Sequence, residues 1–187
     1  TQDGLIGILL TGGMSSAIII FSLVPGYKPE IFSYLFGSVL STTWIEVYIL
    51  LGFSIITLGL TKYLWRALVL TTIHDQLGRV MNLPTTFANY FLFVFTAIAL
   101  VTGVKLLGII LVSAMLIVPV LSSSFLSNSL KSSVIVTITI GLISSIIGLC
   151  VSFVADLPSG PCIALTLIAF FIASFVISVL LPKRKIY

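Results

Sequence analysis

Few side chains in this 187-residue sequence could take part in acid–base, nucleophilic or metal chemistry, and they are scattered. The single histidine, His74, has one acidic neighbour, Asp75. A hydrolase working inside an apolar phase needs a nucleophile beside a histidine, or paired carboxylates. His74 and Asp75 instead lie in the polar stretch "TTIHDQLGRVMNLP" (71–84), and no two acids share an apolar run. A transition-metal site needs three or four ligands, so His74 reads as a solvated helix residue. Cys150 and Cys162 have no metal spacing and read as packing or lipid-facing residues. No Gly-rich phosphate loop of the Walker type occurs. The chain is therefore read as a non-enzyme without catalytic residues, metal ligands or a bound cofactor. Its polar groups inside apolar runs are mostly hydroxyls. Thr11, Ser15 and Ser16 either line a path or bond their own backbone.

The elements that would carry these groups follow from composition. The chain is 59% hydrophobic and 7% charged, too apolar for an ordinary soluble surface. Several uncharged runs exceed the roughly 18–20 residues that cross a bilayer as a helix, without the alternation of barrel strands. The fold class is all-α, a polytopic transmembrane bundle forming one domain over 1–187. Six spans are expected at 4–24, 45–63, 87–104, 106–126, 134–155 and 162–181. "IFSYLFGSVLSTTW" (31–44) is too short to span and reads as an interfacial or re-entrant helix. The opening "TQDGLIG" has neither an initiator Met nor a basic leader, so the chain is expected to begin inside a longer protein.

Charge placement sets the orientation. If 62–86 is cytoplasmic, Lys62, Arg66, Arg79, Lys131, Lys183, Arg184 and Lys185 all fall inside, and only Lys28 and Lys105 outside. Both ends of the chain are then cytoplasmic. The surplus of 9 Lys and Arg over 5 Asp and Glu is too small to suggest nucleic acid. Ser144, Gly148 and Ser152 recur every four residues, as does the pair Gly141 and Ser145, which predicts close helix packing. Pro119 predicts a kink, either static or part of a gate, with Ser122–Ser124 placed to satisfy the freed backbone groups. Asp156 either caps its turn or meets an incoming protein, Glu46 is interfacial, and Lys105 is an anchor or a gate.

The polar stretch predicts a short amphipathic helix over 72–82. Thr72 is its N-cap with Asp75 at the capping-box position. Asn82 and Pro84 end it, and Leu77, Val80 and Met81 share one side. Such a helix is either a plain interfacial linker or a handle for a cytoplasmic partner.

"IHDQLGRVMNLP", "KLLGIILVSAMLIVP" and "DLPSGP", with "SYLFGSVL" upstream, resemble in order and spacing the ABC-3 family of permease subunits of zinc, manganese and iron importers. The resemblance covers about residues 3–181. It departs at Gly78, where the family favours Ala, and at Asn82, where it favours Gly. It implies a permease subunit moving a divalent metal inward, with the metal as cargo and no cofactor held. It implies an ATPase-coupling segment at Asp75, Leu77, Gly78, Arg79, Met81, Leu83 and Pro84. Gly108, Pro119, Thr11 and Ser15 are its gating or pathway candidates. Implied partners are cytoplasmic ABC ATPase subunits, an extracytoplasmic metal-binding protein, a second copy in a homodimer and the lipid bilayer of the cell membrane. The family's metal-ligand segment lies upstream of anything in this chain. A cobalamin- or siderophore-type permease and an inert membrane fragment are the alternative expectations.

Overall fold

The structure, a computed structural model, describes residues 2–24, 42–73 and 84–180. Among these residues there are seven helices and no strand: α1 Gln2–Ser22, α2 Trp44–Tyr63, α3 Trp65–Ile73, α4 Thr85–Leu107, α5 Ile109–Leu126, α6 Leu130–Ala155 and α7 Ser159–Leu180. All but α3 are long and apolar enough to cross a membrane. Apolar runs of this length become helices because hydrocarbon offers no partner for peptide groups, so each segment must bond within itself.

Local signals set the ends. At the start of α2 the Thr43 N–H and hydroxyl both donate to Glu46 Oε2, at 3.0 and 3.1 Å, so Glu46 holds a capping box. Ser129 caps α6 by accepting the Ser132 N–H at 3.2 Å. α6 stops at Asp156, which takes the left-handed conformation (φ 51°, ψ 38°) that ends helices. The Leu157 N–H then returns to the Ser152 carbonyl at 3.0 Å, and the Ser152 hydroxyl donates to the Leu157 carbonyl at 2.6 Å. The "DLPSGP" turn is thus closed by Ser152 and by the backbone of Asp156.

Some boundaries differ from the sequence expectation. The third expected span does not stop at Lys105. α4 runs on to Leu107, and the break falls at Gly108 (φ 79°, ψ 159°). A lysine near a span end keeps its helical backbone and carries its charge outward on a long stem, whereas that dihedral pair is open essentially only to glycine. Thr72 lies inside α3 rather than at an N-cap. In α3, Ala67 and Leu68 are buried together with Leu64. The remainder of the expected 72–82 helix, the 31–41 segment and the basic end 182–185 lie outside the described residues.

The chain divides into two compact units, 1–39 with 103–187, and 40–102. In the first, α1, α5, α6 and α7 pack around Ile8, Leu111, Ala114, Val118, Ile163, Ala164 and Leu167. α5 is the most enclosed of the candidate spans. Ser144, Gly148 and Ser152 are all buried, along the face of α6 that meets α7. A Cβ on Gly148 would stand 2.5 Å from the Ile163 Cα, and the Thr166 hydroxyl is shared between the Ser144 carbonyl across the interface at 2.9 Å and the Ile163 carbonyl of its own helix at 2.8 Å. Small residues let the two backbones approach, and the approach brings the hydroxyl within reach. Gly141 meets nothing within 4 Å.

In the second unit, Leu64, Ala67 and Leu68 pack on Ala88 and Phe91 of α4, with Leu60 and Phe95 beside them. Phe95 stacks on Phe53 at 5.5 Å and tilts against Phe91 at 4.5 Å. No residue of α2 itself is buried.

Candidate functional site

α1 carries the first candidate residues. Ile8, Thr11, Ser15 and Ile18 are its buried positions, spaced as one helical stripe. A Cβ on Gly4 would meet Leu121 and one on Gly7 would meet Ile117, so α1 runs antiparallel to α5. The Thr11 hydroxyl donates to its own helix, at the Gly7 carbonyl, 2.8 Å away. The Thr11 hydroxyl thus bonds its own backbone, and its oxygen can still accept. Ser15 behaves differently, with a fully buried hydroxyl that has no hydrogen-bond partner among the described residues. Elsewhere in the spans serine and threonine hydroxyls fold back on carbonyls three or four residues earlier, as at Ser122, Ser144, Ser145 and Ser174. Lipid leaves a hydroxyl few other acceptors.

Gly108 and Pro119 lie at different depths of α5. Eleven residues separate them, about 16 Å at 1.5 Å per residue. Pro119, buried, is level with the first two turns of α1, beside Ile117 and Leu121. Ser15, eight residues beyond Gly7, lies about 12 Å along α1, toward the end of α5 that holds Gly108. Gly108 is buried and joins two candidate spans as a single residue. Its N–H donates to the Val104 carbonyl at 3.0 Å, and its carbonyl accepts the Val112 N–H at 3.2 Å. The hydrogen-bond ladder thus continues through the corner.

Pro119 has no N–H for the Met115 carbonyl. The expectation that Ser122–Ser124 compensate is corrected here. Their hydroxyls go to the carbonyls of Val118, Val120 and Leu121, because a serine reaches back only three or four residues and Met115 lies farther off. Ser123 has a second role missed from the sequence. Its oxygen lies 2.9 Å from that of Ser133 and ties α5 to α6 beside their connecting turn. A serine-rich turn signals a loop, and nothing in the pattern marks which two serines pair.

Of the coupling candidates, Asp75, Leu77, Gly78, Arg79, Met81 and Leu83 lie outside the described residues. Pro84 is described. It is exposed, directly precedes α4, and its carbonyl accepts the Ala88 N–H at 2.9 Å. Proline suits that place, where no intrahelical donor is needed. Among the described residues no three His, Cys, Asp or Glu side chains gather to hold a metal ion. What the first unit does offer a polar species is oxygen, from hydroxyls and backbone carbonyls.

Comparison with known proteins gives this geometry a family context. The model of the ABC 3 transport family matches residues 1–178. The manganese import system permease protein ScaB of Streptococcus gordonii is 28% identical over 98% of this chain and 65% of its own length. The manganese transport system membrane protein MntC of Halalkalibacterium halodurans is 28% identical over 99% of this chain and 62% of its own. The high-affinity zinc uptake system membrane protein ZnuB of Buchnera aphidicola is 27% identical over 87% of this chain and 63% of its own. The solved structure of PsaBC from Streptococcus pneumoniae in complex with Fab superposes with a TM-score of 0.71 at 31% identity, covering 84% of this chain and 57% of that one. The chain spans less than two thirds of the length of these relatives.

Proposed function

Since the chain belongs to the ABC-3 transport family, we propose that it forms part of the permease subunit of an ATP-driven importer of a divalent transition-metal ion, manganese or zinc. The family match over 1–178 carries this reading. The names of the relatives, manganese and zinc import permeases, supply the cargo class. The chain is a multi-pass membrane protein, and its seven inward-counted cations favour cytoplasmic ends.

In this reading the permease hydrolyses nothing itself. Separate ATPase subunits dock on Asp75, Leu77, Gly78, Arg79, Met81, Leu83 and Pro84. A metal-binding protein delivers the ion from outside, and a second copy completes the path. Nucleotide-driven closure of the motor favours one access state over the other through its different affinity for the two. α5 suits the moving part. Its ladder is interrupted at Pro119 and turned sharply at Gly108, so it has two places where the backbone direction can change. Thr11 and Ser15 are the pathway candidates on the neighbouring helix. The partnerless Ser15 hydroxyl is the group best able to offer an oxygen to a passing ion.

Capture of the cognate ATPase by the reconstituted permease tests this. The native protein should retain the ATPase, and Asp75→Lys and Leu77→Asp should both lose it. Equal capture by all three would remove the coupling role.

A further inference from the structure

We propose that Lys62 and Arg66, flanked by Tyr63 and Trp65 at the α2–α3 bend, form a binding face for the phosphate headgroup of an anionic phospholipid. This rests on the chain's crossing a membrane and not on the importer reading.

The bend keeps helical register. The Leu64 N–H donates to the Leu60 carbonyl at 2.8 Å, and the Leu68 N–H to the Leu64 carbonyl at 2.9 Å. Positions on either side of Leu64 can therefore be placed on one helical wheel. Leu64, Ala67 and Leu68 point into the second unit's core, with Leu60 beside them. At 3.6 residues per turn, Lys62 and Arg66 fall within roughly 20° of the opposite direction. Tyr63 and Trp65 lie about 100° from Leu64, one on each side. Accessibility agrees with the wheel. Lys62 and Arg66 are exposed, Tyr63 is 84% exposed and Trp65 is half-buried.

Among the described residues no acid opposes the charge on this face. Neither cation forms an ion pair among the described residues. The one acid among the second unit's described residues is Glu46, in the first turn of α2. It lies sixteen residues before Lys62, about 24 Å along the helix. Two cations side by side without an acid attract an anion. Their position where the apolar run of α2 ends is where headgroups lie. An aromatic on each side is the composition of the membrane interface, where amphipathic rings sit at headgroup level. A soluble protein surface could also meet two cations. It would gain nothing from a depth at the end of a span, and the lipid phosphate is there already.

Trp65 is a built-in reporter. The chain has two tryptophans, so Trp44→Phe leaves Trp65 alone. The intact chain carrying that change is reconstituted with acyl-brominated phosphatidylglycerol or, separately, acyl-brominated phosphatidylcholine, and Trp65 quenching is followed against mole fraction. The anionic lipid should show a higher relative association constant, by about fivefold for each cation, the equivalent of ~1 kcal/mol per basic residue at an anionic surface. Lys62→Gln with Arg66→Gln should bring the ratio to one while quenching by phosphatidylcholine persists, which shows that the segment still sits in the membrane. Equal quenching by both lipids in the parent overturns the proposal. So does an anionic preference that survives the double substitution. Equal quenching combined with loss of ATPase capture in the double variant would overturn it by assigning the face to a protein.

Discussion

Substituting Gly148 with alanine sets two effects of opposite sign against each other. Helix propensity favours the change by up to ~1 kcal/mol, because alanine restricts the unfolded backbone and glycine does not. Packing opposes it. The new methyl would lie 2.5 Å from the Ile163 Cα, 2.8 Å from its Cγ1 and 2.9 Å from its N. Two of these three atoms are backbone, so no rotamer change relieves the clash, and α6 and α7 must separate by about 1 Å to restore van der Waals distance. Overpacking of this kind costs ~1–3 kcal/mol, and a clash against backbone belongs at the upper end. The separation also stretches the Thr166–Ser144 contact, 2.9 Å long and one turn away, but the hydroxyl keeps the Ile163 carbonyl at 2.8 Å, so that loss adds at most about 0.6 kcal/mol. The net expectation is destabilisation by ~2 kcal/mol. Gly141→Ala is the matched control. It lies two turns away on the same helix, with nothing within 4 Å of the added methyl, and should be neutral or stabilised by up to ~1 kcal/mol. Reversible unfolding of both variants in bicelles measures the difference. If Gly148→Ala proves as stable as Gly141→Ala, the close approach of α6 and α7 is refuted.

Gly108→Ala forces a Cβ onto a backbone at φ 79° and ψ 159°, and should cost ~1–3 kcal/mol in the same unfolding assay. A variant as stable as the parent would remove the positive-φ backbone at Gly108. Asp156→Gly should raise stability by ~1 kcal/mol, since glycine adopts the left-handed C-cap without the penalty an L-residue bears. A loss instead would mean that the aspartate side chain does more than occupy the turn. Ser133→Ala should cost only about 0.6 kcal/mol, the worth of one hydroxyl contact between membrane helices, because Ser123 keeps its bond to the Val120 carbonyl at 2.8 Å. A loss several times larger would show a wider network at the α5–α6 turn.

Much of the candidate site was readable one residue at a time, and what was not depends on neighbours distant in sequence. Gly108 and Pro119 stood out because glycine and proline change the backbone whatever surrounds them. Thr11 and Ser15 looked equivalent in the sequence. Only packing distinguishes them, since Thr11 reaches Gly7 while Ser15 is enclosed without an acceptor. Thr72 offered capping chemistry in the sequence, but it lies within α3, whose Ala67 and Leu68 are buried against α4 together with Leu64.

The sequence by itself determined that this is a helical membrane protein and where its apolar segments lie. These are properties of composition and of the chain's local need to bond its own backbone in lipid. It also marked Ser144, Gly148 and Ser152 as a stripe of small residues. Which helix that stripe would meet, and at what distance, was decided by the tertiary structure. The answer required Ile163 and Thr166, about fifteen to twenty residues further on, to arrive from the opposite direction at the same depth. The same holds for the face at Lys62 and Arg66. The residues are plain in the sequence, but only the packing of Leu64, Ala67 and Leu68 onto α4 turns both charges to the outside together.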